Sequence, residues 1–215
     1  MKLATYFRSS AAYRVRIALN LKGIECEPEP VHLTRNGGEQ HSATYCARNP
    51  LGLVPLLTLD DGVTLSQSLA IIEYLDETHL APPLLPAAAL DRARVRAFAL
   101  AIACDIHPIN NLRVLRYLKR EMGQEQAAID AWYRHWIARG LPALEAMLAD
   151  QPGDGPFCFG ATPSLADICL IPQLANARRY ECPLEAFPRL LRADAAARGL
   201  DAFQRAAPEM QPDAG

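Results

Sequence analysis

The chain has 215 residues, 50% hydrophobic and 21% charged, enough apolar material for one large or two modest cores. A formal net charge of −2 argues against a nucleic-acid partner held through its phosphates. Six cysteines, at 26, 46, 104, 158, 169 and 182, form no C-x-x-C pair; that speaks against zinc and dithiol motifs and for small apolar side chains in a reducing compartment. No run reaches transmembrane length, and Met1 to Tyr6 has no signal-peptide core. The expectation is a cytoplasmic protein with no membrane partner and no metal.

Leu3 to Phe7 reads as a short strand, followed by the polar turn Arg8-Ser9-Ser10. A helix comes next, with Ala11, Val15, Ala18 and Leu19 on its apolar face and Arg14, Arg16, Asn20 and Lys22 elsewhere. Gly23 ends it, and Ile24 to Leu33 is a second strand, making a βαβ unit with a parallel pair. Thr34 to Arg48 is polar and holds one irregular helix. Leu53 to Leu59 and Val63 to Leu65, joined by Asp60-Asp61-Gly62, predict a hairpin, and Ser66-Gln67-Ser68 opens a helix to about Thr78.

The proline-rich stretch Ala81 to Pro86 is the expected linker, and no strand alternation follows it. The predicted division is 1–80, a linker at 81–87, and an all-helical 88–215. Helical stretches are expected over Ala87 to Met122, with a bend near Pro108, and over Gln124 to Ala149, with Trp132, Trp136, Leu141, Leu144 and Leu148 as core candidates. A loop is predicted at 151–156. Ser164-Leu165-Ala166-Asp167 is a capping box with aspartate in the place of glutamate, opening a helix that Pro172 kinks rather than ends. Two shorter helices and a loose tail from Ala207 complete the chain.

Three short patterns can carry chemistry. Ser9 or Ser10 caps the first helix, and a serine hydroxyl beside a helix N-terminus can also hold an anion such as a thiolate. Val54-Pro55 is either an edge-strand proline or a cis peptide that offers the Val54 backbone to a peptide ligand. Gln67-Ser68 is either a plain cap, from Ser66 or Ser68, or a grip on a ligand carboxylate.

Order and spacing make these patterns specific together. The blocks YFRSSAAYRVRIALNLKG, NPLGLVP, SQSLAIIEYL, LLP, DIHPINN and TPSLADICLIPQLANARRY resemble the zeta-class glutathione transferases, the family that includes maleylacetoacetate and maleylpyruvate isomerases. The strong blocks run from Leu3 to about Tyr180.

The resemblance implies an α/β plus all-α fold: an N-terminal thioredoxin-like domain that binds glutathione, then a C-terminal helical bundle that binds substrate. It also implies a homodimer. Glutathione is the implied cofactor, with Ser9 on its sulfur and Ser10 beside it, Gln40 near its glycyl end, and Val54 before a cis Pro55 on its cysteinyl unit. Gln67 and Ser68 match the pair on its γ-glutamyl carboxylate. His107 and Asn111 in DIHPINN are placed near glutathione. Arg8 and Arg179 match carboxylate-binding arginines, with Arg113 a third candidate for a small anionic substrate. The implied activity is glutathione-dependent cis–trans isomerisation of maleylacetoacetate or maleylpyruvate. A general transferase or dehalogenase of small electrophilic acids, or a non-catalytic binding module of the same fold, are the alternatives. One position departs from the pattern: Ala11 stands where many zeta-class chains have cysteine.

Overall fold

A computed structural model describes residues 1–149 and 155–214; most of the loop predicted at 151–156 lies outside them. Two compact units divide the chain, Met1–Leu84 with Gly199–Gly215, and Leu85–Arg198.

The first unit is built on four strands, β1 (Lys2–Thr5), β2 (Glu27–Pro30), β3 (Leu56–Thr58) and β4 (Thr64–Ser66), in the order β2-β1-β3-β4. β1 and β2 are parallel, and the other pairs are antiparallel. β2 is shorter than the predicted Ile24 to Leu33. Its sequence, Glu-Pro-Glu-Pro, lacks two backbone donors, which suits a short edge strand. Between β1 and β2 runs α1 (Ser10–Leu21); α2 (Ala43–Arg48) precedes β3, and α3 (Ser68–Thr78) follows β4. This is the βαβ–α–ββα order of a thioredoxin-like domain.

α1 departs from its predicted two-faced pattern. Nine of its twelve residues are buried, Arg14 and Arg16 among them. Both α3 and the helix Asp201–Ala206 pack against it. The tail is therefore not loose, and from Gly199 on the chain packs within the first unit. Phe203 is buried, Asn20 Nδ2 donates to the Ala202 carbonyl at 2.9 Å, and Gln211 Nε2 donates to the Arg205 and Ala207 carbonyls at 2.9 Å each.

The second unit is helical: α4 (Ala89–Leu100), α5 (Leu112–Arg120), α6 (Gln126–Met147), α7 (Leu165–Arg179) and α8 (Pro188–Arg198), which leaves α9 for Asp201–Ala206 in the first unit. The bend predicted near Pro108 is a larger break. A π-helical turn, Ala101–Ile106, and a 3-10 turn, Pro108–Asn110, separate α4 from α5. Gly140 accommodates this break, since a Cβ there would meet the Ile106 side chain at 2.4 Å. α7 continues through Pro172. Its capping box is complete: Asp167 Oδ2 accepts the Ser164 N–H at 2.8 Å, and Ser164 Oγ accepts the Ala166 N–H at 3.3 Å. No helix among the described residues is long and apolar enough to cross a membrane.

Candidate functional site

Strand register gathers the first unit's candidates at one end of the sheet. Ala4 pairs with Leu56, and Leu56 with Ser66. The turn after β1, the Val54-Pro55 step before β3 and the Gln67-Ser68 step after β4 therefore leave the same edge. β2 runs parallel to β1 and sends its continuation, through His32 and Gln40, to that edge as well; the His32 ring packs edge-on against Tyr6 at 5.1 Å.

Ser9 is the N-cap of α1. Its N–H donates to the Tyr6 carbonyl at 2.9 Å, and its Oγ accepts the Ala12 N–H at 3.2 Å. Capping uses a lone pair and leaves the hydroxyl proton available to a ligand. The Ala11 N–H has no partner among the described residues, so the first turn also keeps a backbone donor and the positive end of the helix dipole. Ser10 is buried. Arg8 is exposed, with its guanidinium carbon 4.9 Å from the Phe7 ring centre.

The Val54-Pro55 bond is cis. Neither the Val54 N–H nor its carbonyl enters a hydrogen bond among the described residues, so a two-point backbone edge is open. The loop before it is held by a carbonyl with two donors: Tyr45 Oη and Asn49 Nδ2 each donate to Leu53 O at 2.7 Å. Burial raises the Tyr45 phenol to about 12, so it stays a donor at neutral pH. Sequence reading missed both residues.

α3 opens in an unexpected way. Neither Ser66 nor Ser68 caps it; the N-cap is Gln67, at φ 71° and ψ 116°, with no side-chain hydrogen bond to the helix. A non-glycine residue there carries strain of about 1–3 kcal/mol. The result is an uncapped N-terminus whose donors remain for an anion. Ser68 is buried, and its Oγ accepts Arg14 Nη1 at 3.3 Å, which ties α3 to α1. Gln40 is 4% exposed and packs over Gly38, where φ is 113° and a Cβ would lie 2.6 Å from Gln40 Oε1. That Oε1 is buried without a partner among the described residues, an acceptor open to a donor. A ligand with a thiol, a peptide edge, a carboxylate and a further amide finds a match at each place.

The second unit holds the other candidates. His107 ends the π turn, half-buried, its N–H donating to the Ile102 carbonyl at 2.9 Å. Asn111 caps α5, with Oδ1 accepting the N–H of the exposed Arg113 at 3.1 Å. Its neighbour Asn110 is the structural asparagine of the motif: it is buried and donates to the Tyr133 carbonyl at 3.2 Å. Arg179 ends α7, and its Nη2 donates to Tyr180 Oη at 3.3 Å. Arg178 pairs with Asp194, whereas Arg179 meets no carboxylate within 4 Å among the described residues.

A thioredoxin-like sheet with a serine-capped turn, a cis-proline edge and an open helix terminus, joined to a helical domain, is the architecture of a glutathione transferase. Comparison with known proteins agrees. The glutathione S-transferase N-terminal domain family matches residues 8–78, and its C-terminal domain family matches 126–206. A probable maleylacetoacetate isomerase of Vibrio cholerae is 51% identical, over 97% of this chain and 96% of its own. The maleylpyruvate isomerase of a Ralstonia species is 50% identical over 99% of both. Among solved structures, a holo maleylpyruvate isomerase, described as a bacterial zeta-class glutathione S-transferase, superposes with a TM-score of 0.96 at 48% identity, over 100% of both chains. A maleylacetoacetate isomerase from Methylobacterium extorquens AM1, with bound malonate and glutathione, does so with 0.95 at 40% identity, also over 100% of both. The chain belongs to the glutathione S-transferase family, in the zeta-class group of maleylacetoacetate and maleylpyruvate isomerases.

Proposed function

We propose that this protein is a glutathione-dependent cis–trans isomerase of maleylacetoacetate or maleylpyruvate, yielding the fumaryl form. The observation that carries the reading is the Ser9 hydroxyl, fixed as an acceptor from Ala12 with its proton free for a sulfur. Relatives close to 50% identical over the full length bear both isomerase names. Glutathione, when bound, supplies a thiolate that adds reversibly to the substrate double bond.

The chain's own groups do the rest. Ser9 Oγ–H and the Ala11 N–H hold the sulfur as its anion, because donors and a helix N-terminus stabilise the charged form. Val54 pairs antiparallel with the cysteinyl backbone. Gln67, Ser68 and the open end of α3 take the γ-glutamyl carboxylate, and Gln40 meets the glycyl end. Ser10, His107 and Asn111 belong to the cofactor side. Arg8 and Arg179 take substrate carboxylates, with Arg113 in reserve, since a guanidinium pairs a carboxylate bidentately and offsets negative charge that develops during reaction. Ala11 leaves this scheme intact, because it contributes a backbone N–H and the reacting sulfur is the cofactor's.

The same reading divides the work between a glutathione-binding first domain and a substrate-binding helical domain, and makes the protein a cytoplasmic homodimer, for which the family resemblance is the support. Sedimentation of the purified chain and cell fractionation check those two points. For the activity, maleylpyruvate and maleylacetoacetate are assayed with and without glutathione. Turnover of one or both only with glutathione is expected; equal rates without it, or no turnover of either, would sink the reading.

A further inference from the structure

Behind Ser9 lies a polar cluster with no role in the scheme above. Arg16 is 7% exposed, and its guanidinium meets four acceptors. Nη1 donates to Thr5 Oγ1 at 3.0 Å and to the Tyr6 carbonyl at 3.4 Å, Nη2 to the Phe7 carbonyl at 3.1 Å, and Nε to the Ala206 carbonyl at 3.0 Å. The Tyr6 carbonyl is the one that also accepts the Ser9 N–H. Phe7 is held from its other polar group too: its N–H donates to Asp213 Oδ2 at 2.9 Å, across 206 residues of sequence. Asp213 Oδ1 is buried and makes no hydrogen bond among the described residues.

We propose that Arg16 and Asp213 are positioning residues for the reaction, bracing the Tyr6–Ser9 turn so that the Ser9 hydroxyl and the Ala11 N–H face the sulfur. The inference rests on the first turn of α1, through the Ser9 hydroxyl or the Ala11 N–H, being what holds the thiolate. Simple filling of the space does not require this chemistry. A buried guanidinium is costly unless its donors are satisfied, and burial lowers Arg16 to about 10 while the Asp213 charge opposes that shift. What a planar fork adds is geometry: fixed donors that join Thr5, the last residue of β1, to Tyr6 and Phe7 of the turn. A carboxylate on the Phe7 N–H adds a charge-assisted bond to the same turn. Hydrogen-bond strength falls steeply with distance and angle, so a small drift of the turn weakens the donors aimed at the sulfur. The C-terminal segment, which supplies Ala206 and Asp213, is thereby part of the machinery of the first unit.

The test is Asp213→Asn, which keeps the shape and an acceptor oxygen but removes the charge. With glutathione saturating, the thiol is followed by the ultraviolet absorbance of its anion. The thiol is expected to titrate at higher pH, with kcat falling roughly five- to tenfold and KM for the substrate acid unchanged. Thr5→Val, which removes one acceptor of Arg16, moves both readouts the same way by less, and serves alone if the Asn variant folds poorly. A lowered melting temperature with wild-type titration overturns the proposal. Ser9→Ala, run in parallel, separates the two ideas. If Ser9→Ala leaves the titration unchanged while Asp213→Asn shifts it, the brace stands, acting on the helix terminus, and the role of Ser9 falls. If Ser9→Ala shifts it while the other two variants do not, the brace falls and Ser9 stands.

Discussion

The N-termini of α3 and α7 are opposite answers to one problem, since the first turn of a helix leaves its N–H groups without internal partners. At α7 the chain closes the end itself. Asp167 is fully buried and accepts from Ser164 N, Ser164 Oγ and, through Oδ1, the Cys158 N–H at 2.8 Å. Burial raises its pKa, and those same bonds oppose the rise. At α3 the chain leaves the end open: Gln67 is strained and its side chain makes no cap. A closed end stabilises the fold, while an open end in strained backbone forgoes that stability. α1 stands between them, capped by Ser9 yet keeping the hydroxyl proton and the Ala11 donor.

Substitutions at these termini should separate accordingly. The largest effect is expected at the intermediate one: Ser9→Ala should cut kcat by about 10²- to 10³-fold, like removal of a donor aimed at developing charge, with far-ultraviolet circular dichroism unchanged. At the closed end, Asp167→Ala should cost about 3 kcal/mol in urea unfolding, because buried donors lose a charged acceptor, with glutathione affinity of the folded protein unchanged. At the open end the ranking reverses. Ser68→Ala should weaken glutathione roughly tenfold by calorimetry and shift the melting temperature far less than Asp167→Ala. Gln67→Gly should relieve the positive φ and stabilise the fold by about 1 kcal/mol, while raising KM for glutathione. A gain in affinity there would break the comparison.

The smallest effect is expected at a pair that caps no helix N-terminus. Arg48 makes a bidentate pair with Glu29, at 2.6 and 2.8 Å, and holds the Glu29 carboxyl below its ordinary value. Stability from a depressed acid is present above the unfolded value of 4.5 and is lost as pH falls through the folded one. Both partners are partly exposed, so Glu29→Gln should cost only about 0.5 kcal/mol at neutral pH. The difference from the parent should close on acidification, as followed by melting temperature against pH.

Much of this was legible in the chain. The capping box Ser164-Leu165-Ala166-Asp167, the hairpin turn at Asp60-Asp61-Gly62, and the break at Ala81 to Pro86 are local signals, because a few neighbouring residues settle the backbone there. The candidate site was legible only as a set of motifs, since Ser9, Val54-Pro55 and Gln67-Ser68 each allow a bland reading alone. Local rules failed at Gln67: capping preference points to serine, yet the ladder from Leu56 to Ser66 delivers the chain to α3 with glutamine at the cap.

Arg14 and Arg16 lie off the apolar face that periodicity picks out, and periodicity reports which side of a helix is apolar, not what covers the other side. α3 and α9 cover it, and α9 arrives from 180 residues later in sequence than α1. The same long-range packing brings the polar, proline-bearing tail to where its Asp213 meets the Phe7 N–H. The sequence by itself thus determined the order of elements and the family, since these rest on neighbours along the chain and on motifs in a fixed order. Only the tertiary structure decided which helix ends stay open and which charges are buried to hold the turn at Ser9. Those depend on contacts between residues far apart in the chain, and no local pattern encodes them.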